Sequence, residues 1–255
     1  MYFLSVLAQF KNETMNLKVW LDHYLWQGVD HFYLIDNGST DAPLRILQEY
    51  INKGIVTYYY KPERHKQVEN YRWVFDYENL KSKTYWLAVC DLDEFFYGVD
   101  QKLRTKIRQL DNYDLINVNW LVYGNSGVDK HPNDIRTTFV HRFPNMDPIN
   151  TKYIFKPLAL KNSSQVGMHW LLYPNTDIQI KTGKRVRTAN KLIRINHYVL
   201  QSLEYFNNVK SKRGDAASAR DDKKWSKAFF DAHNVGATFV DNTLKNLIEN
   251  PLPNY

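Results

Sequence analysis

Asp91-Leu92-Asp93 is the strongest local signal for chemistry in the 255 residues. It follows directly on the apolar run Tyr85–Cys90, which places it at the end of a buried strand. Two carboxylates at i and i+2 there can share one divalent ion, or split between the ion and a ribose hydroxyl. Mn²⁺ and Mg²⁺ take such oxygen donors and keep water or substrate phosphate in their other positions, so one of the two is the expected cofactor. In an ordinary loop a D-x-D is two solvated acids; its place at a strand end raises it above that.

The chain has no G-x-G-x-x-G after its first strand and no G-x-x-x-x-G-K-[ST], which counts against a dehydrogenase and a P-loop NTPase. It has no G-x-S-x-G, which counts against an α/β-hydrolase. A diphosphate would have to be held by metal and basic side chains instead. Between Lys181 and Lys227 there are 13 Lys and Arg against 4 Asp and Glu, a local +9 that leaves the rest of the +7 chain near −2. Such a segment suits a phosphate-bearing ligand, nucleic acid, a membrane surface, or plain solvent. Folded over a bound diphosphate, Lys210–Lys227 would act as a lid, with its like charges repelling one another in the empty protein.

The eight histidines include no H-x-x-x-H pair. One imidazole can still complete a metal site built by Asp and phosphate. His197, in Ile195-Asn196-His197-Tyr198, ends a short apolar strand inside the basic segment, and His169 precedes an apolar run. A structural role is as open to either. His23 and His31 flank the first helix and read as structural. Tyr123-Gly124-Asn125-Ser126-Gly127 makes a tight loop beside the expected metal, or an ordinary surface turn. Asp129, His131 and Asp134 follow it, where an acceptor could approach, and are unranked candidates for a base.

The elements that position these residues show in the periodicity. Tyr2–Gln9, His31–Ile35, Ile55–Tyr60, Tyr85–Cys90 and Leu115–Val122 read as strands. Helical spacing recurs over Glu13–Gln27, after Pro43, over Gln67–Leu80 and around Leu103–Leu110. Strand–helix alternation with short connections predicts a largely parallel sheet with helices on both faces, a doubly wound, Rossmann-like α/β class. Such sheets bind ligands outside the carboxyl ends of their strands. That rule selects Gln9–Glu13, Asp36–Asp41 and Asp91–Glu94. Beyond Thr151 the pattern loosens to a β-like Tyr153–Leu160, a short strand Leu192–Asn196 and a helix-like Leu200–Lys212. No Pro/Gly/Ser linker intervenes, so one domain is expected, with residues 1–215 as its body and 216–255 as a helical extension packed on it.

Composition agrees. Hydrophobic residues make up 44% and charged residues 24%, which excludes wholesale disorder. No stretch of about 20 apolar residues would span a membrane. A single cysteine, Cys90, excludes a disulfide framework and suits a reducing compartment. The start, MYFLSVLAQFKNE, reads as a strand rather than a signal peptide, so a cytoplasmic location is expected.

A series of motifs in order resembles the GT-A glycosyltransferases, and more narrowly family 92 and related family 2-like proteins. It runs through Lys11-Asn12-Glu13, Trp20–Tyr24, Gly28–Tyr33, Asp36–Asp41 and Trp86–Phe95. It continues through Val122–Phe143, Lys156-Pro157, His169, Asn196-His197-Tyr198, Ser202, Phe206, Lys210 and Arg213-Gly214, spanning about residues 1–215. The resemblance implies a GT-A fold and metal-dependent transfer from a nucleotide-sugar. It implies that Asn12, Glu13 and Asp36 line the nucleoside pocket. Asp91 would face ribose or metal, Asp93 would bind metal, His197 would be a late metal or phosphate contact, and Lys210 and Arg213 would lie near the diphosphate. Val140-His141-Arg142 departs from the family, where an acidic residue often precedes Arg-Phe.

The expectation is thus a hexosyltransferase using a UDP- or GDP-sugar and a glycan hydroxyl, with inversion. A sugar nucleotidyltransferase is the first alternative, but Gln9-Phe10-Lys11-Asn12 lacks the glycines such enzymes carry. A nucleic-acid-binding protein is the second; the basic segment has little aromatic interleaving before Tyr198, so nucleic acid is not an expected partner.

Overall fold

A computed structural model describes residues 1–171, 185–187, 191–216, 218–219 and 223–253. Strand β1 (Tyr2–Phe10) leads to helix α1 (Thr14–Trp26), then β2 (His31–Asp36), α2 (Leu44–Asn52) and β3 (Val56–Tyr60). Helices α3 (Gln67–Tyr77) and α4 (Leu80–Lys83) precede β4 (Thr84–Val89). One helix is expected over Gln67–Leu80. Asn79 breaks it, because its backbone is left-handed with φ of 49°.

The chain continues through β5 (Glu94–Gly98), α5 (Leu103–Gln109), β6 (Leu115–Val122), α6 (Ile135–Thr138), β7 (His141–Arg142), β8 (Thr151–Phe155), β9 (Arg185–Arg187) and β10 (Ile193–His197). Then come α7 (Leu203–Tyr205), a π turn at Phe206–Lys210, α8 (Ser211–Arg213), α9 (Lys227–Gly236), β11 (Phe239–Val240) and α10 (Thr243–Glu249).

Among the described residues the main sheet runs β3-β2-β1-β4-β8-β6-β10-β5, with β9 also pairing with β6. Pairs β3–β2, β2–β1, β1–β4 and β6–β10 are parallel. Strand β8 enters between β4 and β6 antiparallel to both, and β5 closes the far edge antiparallel to β10. The expected mostly parallel α/β sheet is therefore present.

Side-chain alternation along β1 explains why both faces are covered. Leu4, Val6, Ala8 and Phe10 join the core formed with Leu17, Trp20, Leu21 and Tyr24 of α1. Leu7 points the other way, into the core formed with Tyr71, Val74 and Phe75 of α3. The C-terminal segment belongs to the same body: Leu244 and Leu247 of α10 lie in the first core, and Phe230 of α9 packs on Phe206. No helix among the described residues is long and apolar enough to cross a membrane.

Candidate active site

The carboxyl edge of the sheet holds a cleft of about 350 Å³. Its lining follows the strand order. Asn37 follows β2, Gln9 and Phe10 end β1 with Lys11 and Glu13 just beyond, Asp91 and Asp93 follow β4, Trp120 and Val122 belong to β6, and His197 ends β10. Lys210 and Arg213 reach in from the helical segment after β10.

The turn after β4 is closed locally. Glu94 N–H donates to the Asp91 carbonyl, and the Asp91 N–H donates to Glu94 Oε2 at 2.8 Å. Helix α1 braces it, with Trp20 Nε1 donating to the carbonyls of Asp91 and Glu94 and Tyr24 donating to the Glu94 carbonyl. Both aspartates thereby line the cleft while Glu94 stays buried behind them. Burial pushes the Glu94 carboxyl well above its ordinary value.

The two aspartates after β4 each have a cation. The Lys152 ammonium lies 2.8 Å from Asp91 Oδ2, and Gln67 donates to Asp91 Oδ1 at 2.9 Å. Lys210 Nζ lies 2.5 Å from Asp93 Oδ2, with His197 Nε2 3.6 Å from the same oxygen. Burial alone would raise the Asp93 carboxyl, but Lys210 and then His197 outweigh it and hold it well below the ordinary range. Glu13 pairs with Arg213 and accepts from Tyr205 at 2.7 Å and from Asn16 at 3.1 Å. The expected mutual repulsion of the basic segment is answered, for Lys210 and Arg213, by these pairings. Of the rest of that segment, residues 181–184, 188–190, 217 and 220–222 lie outside the described residues.

Glu13, Asp91, Asp93, His197, Lys210 and Arg213 thus meet in one cleft. Asn12 and Asp36 do not line it, although their neighbours Lys11, Glu13 and Asn37 do. Asn12 accepts from the Thr40 N–H at 2.7 Å, tying the two loops together. The Asp36 carboxylate accepts from the Ser39 N–H at 2.7 Å and from Tyr58 at 2.8 Å, which closes its own turn.

Asp129, His131 and Asp134 also stand off the cleft walls. Asp134 caps α6 through the Arg136 N–H and grips the Arg136 guanidinium at 2.6 Å. The His131 ring sits between Asn16 and Ser202, and Asp129 is exposed. Their segment is tied to α7 instead: Leu203 and Glu204 N–H donate to the Val128 and Asp129 carbonyls, and Glu204 accepts from the His131 N–H.

Ionisable groups that do line the β6 side include Asp147 and His169. Burial draws His169 down to about 4. Asp147 accepts from the Ile149 and Asn150 N–H groups and the Asn150 side chain, each at 2.9 Å. Burial would raise its carboxyl, but those bonds hold it below the ordinary value. Only its place in a turn after Phe143-Pro144 marks Asp147 in the sequence, and no strand end points to it.

Among the described residues no three His, Cys, Asp or Glu side chains form a ready-made metal cage. Mg²⁺ and Mn²⁺ do not require one, since one or two carboxylates plus substrate phosphate commonly suffice. Asp91, Asp93 and the His197 imidazole fit that pattern of hard oxygens with a single nitrogen.

A model of glycosyltransferase family 92 matches residues 3–250, well past the Gly214 at which the motif series ends. A family 92 protein of Arabidopsis thaliana is 24% identical over 224 residues, covering 80% of this chain; the chain spans 36% of that protein's length. Among solved structures, S. aureus TarS 1–349 in complex with UDP is similar at 13% identity and a TM-score of 0.47, over 98% of this chain and 76% of that one. HddC from Yersinia pseudotuberculosis is similar at 11% identity and a TM-score of 0.38, over 76% of this chain and 92% of that one. With all but seven residues inside the family match, the chain belongs to glycosyltransferase family 92.

Proposed function

We propose that the protein transfers a hexose from a UDP- or GDP-sugar to a glycan hydroxyl, with inversion and with Mn²⁺ or Mg²⁺ as cofactor. The observation that carries this reading is the pairing of Asp93 with Lys210 and of Glu13 with Arg213 at neighbouring strand ends. The acidic partners follow β1 and β4, and the basic ones belong to the segment after β10. A diphosphate entering between them offers Lys210 and Arg213 new charge-assisted partners. The carboxylates of Asp91 and Asp93, with His197, are then the donors for a divalent ion. Such an ion, when bound, adds positive charge to the departing diphosphate.

The chain's own residues do the rest. Arg213 and Lys210 hold phosphate oxygens, and Gln9, Lys11 and Asn37 flank the nucleoside side of the cleft. An inverting transfer needs a base for the acceptor proton, and Asp147 takes that role in this reading. It lines the β6 side and is held ionised by Asn150. Family membership favours the transferase over the nucleotidyltransferase alternative.

The test is a panel of nucleotide-sugars assayed for release of nucleoside diphosphate, with Mn²⁺, with Mg²⁺ and with chelator. Metal-dependent release from one donor is expected, and its loss in Asp93→Asn. Equal release in chelator would overturn the metal, and no release from any donor would overturn the nucleotide-sugar.

A further inference from the structure

The far end of the cleft is aromatic, and the motif series ends before reaching it. Trp225, Phe229 and His233 are spaced i, i+4, i+8 and all line the cleft. The spacing puts them on one face of α9 and its entry. Trp225 and Phe229 meet edge to face at 5.0 Å, and the Phe229 and His233 rings stack at 3.8 Å. Lys210 Nζ lies 4.4 Å over Trp225, so the stripe starts beside the phosphate-binding cation. The two ring-to-ring steps carry the stripe away from that cation by less than about 9 Å, ending at His233.

Helix α9 is held firmly at that end. The Asn125 N–H donates to Asn234 Oδ1 at 2.7 Å, directly after β6. A Cβ on Gly124 would come within 2.7 Å of Ala237, so the glycine is what allows the helix to seat. The stripe therefore lies toward β6 and β10, on the opposite side of Asp91 and Asp93 from the Gln9 and Asn37 end.

We infer that Phe229 and His233 form the platform for the acceptor, and that this acceptor presents a neutral pyranose. The apolar C–H face of a pyranose packs on the electron-rich face of an aromatic ring. Asp147, on the β6 side of the cleft, disfavours an anionic sugar there. Trp225, nearer Lys210, lies alongside the donor's hexose. The inference rests on the donor orientation proposed above.

The experiment is saturation-transfer NMR on the full chain without donor. The probes are methyl β-D-glucopyranoside, methyl β-D-galactopyranoside and methyl β-D-glucuronopyranoside. Irradiating aromatic protein resonances should saturate at least one neutral glycoside and leave the glucuronide at background. Phe229→Ala should reduce the transfer at least fivefold. Phe229→Leu, which keeps apolar volume and so keeps the fold, should do the same. Saturating UDP or GDP should not displace the sugar. Undiminished transfer in Phe229→Leu, displacement by nucleotide, stronger uptake by the glucuronide, or no uptake of either neutral glycoside would each overturn the platform. Because no donor is present, these outcomes are separate from a failure of nucleotide-sugar turnover.

Discussion

Lys210 Nζ lies 2.5 Å from Asp93 Oδ2 across 117 residues of sequence, and both side chains are at most 5% exposed. A buried ion pair contributes little net stability, but removing one partner strands the other charge out of water. Asp93 is therefore both a site residue and a structural one, and substitutions there must be chosen with that in mind.

Read from the sequence alone, Asp93→Ala should leave the fold intact, as a loop carboxylate packs against little. The buried pair alters that. Lys210→Met, which takes the nearest cation from the buried Asp93, should cost about 3 kcal/mol in urea unfolding. Asp93→Asn combined with Lys210→Met should recover most of that loss. A double-mutant cycle with no coupling would show the pair to be energetically inert.

Arg213→Ala should weaken binding of UDP or GDP by roughly 10–100-fold, the size of a lost charge-assisted bond. The bare nucleoside should lose less than twofold, since it has no phosphate to contact. Calorimetric titration of both ligands checks this, and equal losses would move Arg213 away from the diphosphate.

Asp147→Asn keeps the shape and the ability to accept from Asn150 but cannot take a proton. Transfer to a glycan hydroxyl should fall by about 10²–10⁴, the usual contribution of a general base. Nucleotide affinity should change less than twofold. Steady-state transfer with unchanged kcat would remove Asp147 from the role.

Acid should destabilise the fold through His23. Its ring is wholly buried, with Nε2 2.8 Å from the Phe96 carbonyl and Nδ1 without a hydrogen-bond partner among the described residues. Burial first, and Arg136 second, hold its pKa well below 6.5. The unfolded chain protonates this histidine below about pH 6.5 while the folded one does not, so stability falls as pH drops through that value toward the folded pKa. His23→Gln should flatten the slope of unfolding free energy between about pH 6.5 and 5. An unchanged slope would assign the acid sensitivity elsewhere.

Gly124→Ala should cost about 1–3 kcal/mol, the usual penalty for overpacking. The new methyl would meet Ala237 at 2.7 Å and Asn234 Oδ1 at 2.9 Å. Thermal unfolding reads the cost, and hydrogen exchange along α9 should rise at the same time. Unaltered exchange would mean that α9 does not depend on this seat.

Much was legible in the one-dimensional pattern because it depends on neighbours a few residues apart. Alternation and helical spacing marked β1, α1, β2 and β4, and the acids of Asp91-Leu92-Asp93 lie at a strand end because the turn closes on Glu94, one residue on. The motif series also named Glu13, His197, Lys210 and Arg213, which share the cleft. Pairings over long separations were not legible. Strand β8 slots antiparallel between β4 and β6, and its Lys152 becomes the cation for Asp91, 61 residues away. Asp36 looks like a free strand-end acid until Tyr58, on the neighbouring β3, donates to it. Asp129, His131 and Asp134 follow a glycine loop that turns out to seat α9 and to bind α7, leaving the cleft wall to Asp147. Local propensity acts over a turn or a strand; which carboxylate finds which ammonium depends on the order of strands in the sheet, which burial of both its faces sets only once the whole chain has folded.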